Sequence, residues 1–355
     1  MNDLAPLQPA RRSSLAGWVV LLLVLLMGAL PVYFVSAVMR PGPLTANKAV
    51  VIPRGASGAG IADLLEQNGV IGNRLAFRIA SRLMAKGRLQ AGEYQFAAHQ
   101  SIAAAIRELR DGRSVVRMFT AAEGLTSAEI VDRIDKNPVL TGAVAPLPPE
   151  GSLLPETYRY SYGDTRASIV AHMQKDMGET LEKMWVARAP GLPIATPAEA
   201  VILASIIEKE TGKKDERAHV AEVFYNRLRR GMRLQSDPTV IYALMQGRAP
   251  LGRPLTRDDL AVASPYNTYI NDGLPPGPIC NPGRASLLAA LHPDVGNDLY
   301  FVADGAGGHL FAPDLRDHDR NVAKWDKIRA EENIALPPQK PPPPIVKPAV
   351  KPASR

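Results

Sequence analysis

The sequence predicts an α+β protein: a single N-terminal transmembrane helix, a small α+β unit, and a helix-rich domain after it. Three observations carry that prediction. No charged residue occurs from Ser13 to Met39, and about 20 apolar residues suffice to span a bilayer. Short runs such as Gly92-Glu-Tyr-Gln-Phe96 alternate as strands do and are interleaved with short helical stretches. Longer helical stretches follow at 165–188, 197–211 and 216–231.

The apolar run predicts a membrane anchor over 15–39 and a cytoplasmic tail over 1–14. Arg11 and Arg12 precede it and favour a cytoplasmic N-terminus, although Arg40 on the far side weakens the bias. A cleaved signal peptide is the competing reading, with Val35-Ser36-Ala37 as its small-residue site. Its apolar core would exceed the usual length of about 7–15 residues, so an uncleaved anchor is preferred. Everything after residue 40 is then expected on the outer side.

Next come two segments that resemble each other. Gly55, Ile61, Asp63, Leu65, Asn68 and Val70 recur 69 positions later as Gly124, Ile130, Asp132, Ile134, Asn137 and Val139. Each reads as a strand end, a glycine turn and a short amphipathic helix. Either a small unit is duplicated or a common turn–helix pattern occurs twice. Between the copies lie a strand at 92–96, a helix at 102–109 and a strand at 115–120. Ala145-Pro-Leu-Pro-Pro-Glu-Gly151 is turn punctuation. After Gly231 the chain holds loops rich in Pro, Gly, Asn and Asp, then a helix at 286–291, a strand at 298–302 and a helix at 320–332. From residue 337 to 355 the Pro/Lys/Ala composition predicts a disordered tail.

The net charge of +7 sits mostly at the ends, with +2 from residues 1–40 and +4 from residues after 337. The body is close to neutral, which is no footprint for nucleic acid. A lone cysteine, Cys280, excludes an intrachain disulfide and offers no metal cluster.

The richest stretch is Thr196-Pro-Ala-Glu-Ala-Val-Ile-Leu-Ala-Ser-Ile-Ile-Glu-Lys-Glu-Thr211. Thr196 with Glu199 makes a capping box and Pro197 takes the first helical position. From Ala200 to Ile207 the helix is apolar all round, so burial is expected. A carboxylate emerging from it is expected to be desolvated, with a raised pKa suited to general-acid work. Glu208, above Ala204, Ser205 and Val201, has room for a ligand and is the first candidate. Glu210 has Lys214 four residues on as an ion-pair partner. Both glutamates also fit an ordinary solvated helix end. A second polar cluster comprises Tyr225-Asn226-Arg227, Gln235-Ser236-Asp237-Pro238 and the loop 264–282. Aromatic rings and amides on ordered loops suit a carbohydrate site, and the same residues also serve turns for backbone reasons alone.

Ala204-Ser-Ile-Ile-Glu-Lys-Glu-Thr211, Val223-Phe-Tyr-Asn-Arg-Leu228, Leu234-Gln-Ser-Asp-Pro-Thr239, Tyr266-Asn-Thr-Tyr269, Gly273-Leu-Pro-Pro-Gly277 and Tyr300-Phe-Val-Ala-Asp-Gly305 together resemble one family. It is the endolytic murein transglycosylases, or YceG-like proteins, matched in block order over roughly 47–330. The resemblance implies a LysM-like module at 47–117 and a catalytic domain at 118–332. It further implies a single-pass protein of the bacterial inner membrane, cutting peptidoglycan strands in the periplasm, with wall-synthesis enzymes as possible partners. It assigns the catalytic role to Glu208, leaving Glu210 structural, and gives substrate-binding roles to Glu156, Asn226, Gln235, Asp237, Tyr266, Asn267 and Tyr269.

On that reading one acid breaks the bond between N-acetylmuramic acid and N-acetylglucosamine and leaves a 1,6-anhydro end, with no cofactor. Cutting nascent strands would limit their length. A muramidase acting by hydrolysis needs a second carboxylate at a defined separation. A non-catalytic peptidoglycan-binding protein is the alternative of another class. A pyridoxal-phosphate lyase using Lys209 lacks an accompanying phosphate-cradling loop.

Overall fold

A computed structural model describes residues 15–86 and 88–335. The expected tails at 1–14 and 337–355 lie outside the described residues. The chain divides into two compact units, the first comprising Met1–Phe119, Ile134–Ala143 and Thr157–Ile169.

In the first unit, α1 (Leu15–Met39) is the expected apolar helix. It is long and apolar enough to cross a membrane, a property that a signal sequence shares. Its last turns join the unit: Val38 is buried, and Phe34 and Ala37 pack on the same core. β1 (Lys48–Ile52) pairs antiparallel with β2 (Gly92–Phe96), placing Val50 opposite Tyr94. Between them run α2 (Gly58–Gln67) and α3 (Arg74–Ala85), capped by the side chains of Ser57 and Asn73. α4 (Ile102–Asp111) starts at Ser101 and ends at Gly112, whose φ of 67° is the left-handed conformation that glycine adopts without strain. Ile52, Leu65, Phe77, Tyr94, Phe96 and Ile106 fill the core. β3 (Arg117–Thr120) pairs with β4 (Thr157–Tyr160).

The sequence reading misses α3 for a physical reason. Phe77 and Ala80 are buried while Leu75, Ile79 and Leu83 are exposed, so apolar residues occupy two faces and blur the period. The offset of 69 residues corresponds to a strand, a left-handed glycine and a helix in both copies, with φ of 79° at Gly55 and 75° at Gly124. The surroundings of the copies differ, which fits a common turn–helix pattern: β1 finds its partner beyond two helices, β3 beyond one helix and a proline-rich segment.

The second unit comprises Thr120–Arg133, Val144–Glu156 and the chain from Val170. It holds most of α5 (Ser127–Asp135) and of α6 (Arg166–Val186), and all of α7 (Pro197–Glu210), α8 (Arg217–Arg229), α9 (Asp237–Met245), α10 (Arg284–Leu291) and α11 (Leu315–Ala335). β5 (Tyr300–Ala303) and β6 (His309–Ala312) form an antiparallel hairpin. α7 is the axis of this unit. Every residue from Ala200 to Ile207 is buried, and α8 and α10 pack on it. Each of its large aliphatic side chains contributes about 1.5–3 kcal/mol by burial. Thr196 and Glu199 make the expected capping box, with Pro197 at the start. α9 is absent from the sequence reading because Ser236-Asp237-Pro238 reads as a turn, whereas Pro238 is the start of a helix.

Candidate active site

α7 delivers two glutamates to opposite sides, because residues two apart on a helix point about 200° away from each other. Their surroundings reverse what spacing suggests. The segment at 279–280 packs over Ser205: Ser205 Oγ accepts the Ile279 N–H at 3.0 Å, and Cys280 contacts the Ser205 carbonyl. Glu208 is clamped by the chain that follows. Its Oε2 accepts the Gly283 N–H at 2.8 Å and its Oε1 meets Arg217 Nη2 at 2.8 Å. Both side chains of this pair are nearly fully buried, at 5% and 6% exposed. The Arg217 guanidinium also reaches Glu123 at 3.5 Å, while its Nε and Nη1 are buried without hydrogen-bond partners. The expected desolvation of Glu208 is therefore accompanied by a cationic partner.

Glu210 does not use Lys214 as a partner. Its Oε1 accepts the Ser236 hydroxyl at 2.5 Å. Burial pushes its carboxyl up to about 7, opposed by the Ser236 hydrogen bond and reinforced by the nearby Asp237 charge. Both glutamates at the end of α7 are thus desolvated, Glu208 against Arg217 and Glu210 against Ser236.

Two sequence blocks meet at this carboxyl. Thr268 Oγ1 accepts the Ser236 N–H at 3.0 Å and lies 2.9 Å from Thr239 Oγ1. Gln235 donates its N–H to the Thr268 carbonyl and holds φ of 49°. Tyr269 donates its hydroxyl to Asp237 at 2.6 Å, and burial raises the phenol well above its ordinary range. Arg227, buried beneath, spends its guanidinium on the carbonyls of Leu299 and Leu234 at 2.6 and 2.7 Å.

Asp237 and Tyr269 are therefore brought together beside Glu210, and Gln235 joins the same place through its backbone. Tyr266 rests against Tyr242, ring centroids 4.8 Å apart. Asn267 is fully buried, and its amide nitrogen bonds the carbonyls of Leu260 and Val262, so it shapes the loop. Asn226 faces a different neighbourhood, donating to Glu222 and to the carbonyls of Gly296 and Asp298. Glu156 lies on the surface with Arg284 at 2.8 Å. Lys209 donates to the Gly124 carbonyl at 3.3 Å, an ordinary tether.

A cavity of about 400 Å³ adjoins α7 on the Val201 and Ile202 side. Met177, Leu181, Pro276 and Pro278 make it apolar, and Glu150 stands in its wall. Burial pushes Glu150 up to about 7, although both of its oxygens accept the Ser127 N–H at the start of α5. Sequence reasoning misses Glu150, because Pro-Pro-Glu-Gly reads as turn punctuation. It misses the partner of Glu210 because helix spacing shows only the near candidate, Lys214, and not Ser236, which lies 26 residues away. His219, Glu222 and Asp298 place ligand atoms within 4.8 Å of one another, the one such group of three among the described residues. They already bond each other, His219 to Asp298 at 2.7 Å, with the imidazole stacked on Phe311.

Glu210 is thus a buried carboxyl with a raised pKa, packed beside a loop of hydroxyl and aromatic side chains. The YceG-like family model matches residues 50–324. An endolytic murein transglycosylase of Bacillus subtilis is 31% identical over 313 residues, covering 79% of this chain and 85% of that protein. A protein of the same name from Streptococcus pneumoniae serotype 2 is 29% identical, and the match spans 60% of its length. A crystal structure of a YceG-like protein from Listeria monocytogenes, 31% identical, covers 78% of this chain and 99% of its own, with a TM-score of 0.48.

Proposed function

The chain belongs to the YceG-like family, and from that premise we propose that it is an endolytic lytic transglycosylase acting on peptidoglycan. The observation that carries the chemistry is the Glu210 carboxyl, pushed up to about 7 at the meeting point of the 234–239 and 266–269 blocks. A general acid works best when its pKa is near the operating pH. Glu210 donates its proton to the glycosidic oxygen between N-acetylmuramic acid and N-acetylglucosamine. The C–O bond breaks through an oxocarbenium-like state. Glu210, now a carboxylate, takes the proton of the muramic 6-hydroxyl, whose oxygen closes on the anomeric carbon. One bond breaks, one forms, and no water enters; the product is a 1,6-anhydro end. Ser236 orients the carboxyl, and burial, aided by the Asp237 charge, keeps its proton on.

The raised pKa of Glu210 supports this choice of acid; the family motif points instead to Glu208, whose carboxylate is held by Arg217 and Gly283. Tyr266, Tyr269 and Gln235 line the sugar path in this reading. The apolar α1 serves as a single-pass anchor with the N-terminus inside, so both units face the periplasm. The strand pair with α2 and α3 supports a LysM-like module at 47–117, and cutting new strands would limit their length beside the synthesis enzymes. Asp237, near Glu210, favours one second reading, hydrolysis with two carboxylates.

Digestion of purified glycan strands by the full chain, followed by mass spectrometry, separates these outcomes. Anhydro-muramic ends on internal fragments are expected. Reducing ends, heavier by one water, would establish hydrolysis, and intact strands would leave a binding protein.

A further inference from the structure

The exposed face of α3 is unusual for a helix in water. Leu75, Ile79 and Leu83 form one row along it, 61%, 43% and 71% exposed. Arg74, Arg78 and Arg82 form the adjacent row, and exposed Lys86 and Arg88 follow at its end. Arg74 faces Asp63 and Glu66 at 3.5 and 3.9 Å, whereas among the described residues Arg78 and Arg82 have no carboxylate within 4.0 Å. The opposite face, with Ala76, Phe77, Ala80, Ser81 and Ala85, is the one buried in the core. Apolar rows flanked by arginine are the pattern of a helix lying in a lipid headgroup layer.

The place of α3 in the fold says which partner to expect. α1 has 25 residues, about 37 Å at a rise of about 1.5 Å each. The hydrocarbon layer is about 30 Å thick, so the last turn of α1 emerges among headgroups. That turn packs on the core that α3 closes, through Val38 and Ala37. Tyr33 of the anchor and Arg40 just after it line one cavity of about 370 Å³ with Asn73, the N-cap of α3. The start of α3 is thus fixed next to the point where the chain leaves the bilayer.

We propose that α3 docks on the outer leaflet of the membrane that α1 spans, seating Leu75, Ile79 and Leu83 at the headgroup boundary and Arg78 and Arg82 on anionic lipid phosphates. The docking rests on the reading of α1 as a retained anchor. It holds the first unit flat on the membrane and fixes its orientation there.

Spin labels on single-cysteine variants of the full chain test this in vesicles of phosphatidylethanolamine with phosphatidylglycerol at about a quarter of the lipid. The natural Cys280 is buried, and an unmutated chain controls for its labelling. Leu25→Cys reports the anchor, Ile79→Cys the docking face, and Val295→Cys the aqueous reference. The expected result is a hydrocarbon signal at 25 and, at 79, an oxygen-to-nickel accessibility ratio severalfold above that at 295. Arg78→Gln with Arg82→Gln should return the ratio at 79 toward the aqueous value. A deep label at 25 with a fully aqueous label at 79 would overturn the docking alone. An aqueous label at 25 would overturn the anchor and the docking together. Dipolar broadening at 79 would assign the face to a second copy of the chain and also overturn the proposal.

Discussion

Glu210→Gln is expected to lower strand cleavage by about 10²- to 10⁴-fold, the usual contribution of a positioned general acid or base. The loss should fall on kcat, because Gln keeps the shape of a protonated carboxyl and can still accept the Ser236 hydroxyl. Folding should be retained for the same reason. Burial holds the native carboxyl up near 7 against an ordinary 4.5, so at mildly acidic pH Gln replaces a group that is largely uncharged. The sign of the linkage adds a second readout. A raised carboxyl pKa gives a stability contribution present below about 4.5 and lost as pH rises through about 7. Glu210→Gln should therefore lose activity while its thermal unfolding becomes less sensitive to a rise in pH from about 4.5 to about 7. Loss of activity with a collapsed circular-dichroism spectrum would instead assign Glu210 to the fold.

Glu208→Gln is expected to act on stability. Removing one member of a buried ion pair costs about 3–5 kcal/mol, because the remaining charge stays buried. Here that charge is Arg217, two of whose nitrogens already lack partners. Glu123 at 3.5 Å remains as a partly exposed neighbour and softens the loss, so about 3 kcal/mol is expected, at the low end of that range. In a domain of this size that is a fall of about 6–12 °C in melting temperature. Chemical denaturation read by circular dichroism measures it, and the variant that remains folded should cleave strands. A variant of native stability and no activity would return the catalytic role to Glu208.

Much of the helical framework was legible because its signals are local. The α7 capping box, the apolar run from Ala200 to Ile207 and the strand at Gly92–Phe96 depend on residues a few positions apart. Helices whose faces mix, such as α3, or whose first residues resemble a turn, such as α9, were not. The site was half legible. Composition drew attention to Gln235, Asp237 and Tyr269, and these do converge. Asn267 and Asn226 carry the same chemistry but spend their amides on backbone carbonyls, which only the folded loops reveal. The partners that distinguish Glu208 from Glu210 lie far along the chain: Gly283, 75 residues away, and Ser236, 26 residues away. Helix spacing carries no information about either.

The most direct test of Glu210 as the acid is the pH dependence of kcat/KM for strand cleavage. It is best measured in Glu150→Gln, which removes the other carboxyl held up to about 7. An acid that must carry its proton predicts a rate that falls tenfold per pH unit above about 7. A rate that stays flat or rises from pH 6 to about 9 would contradict a protonated Glu210 as the group that cleaves the bond.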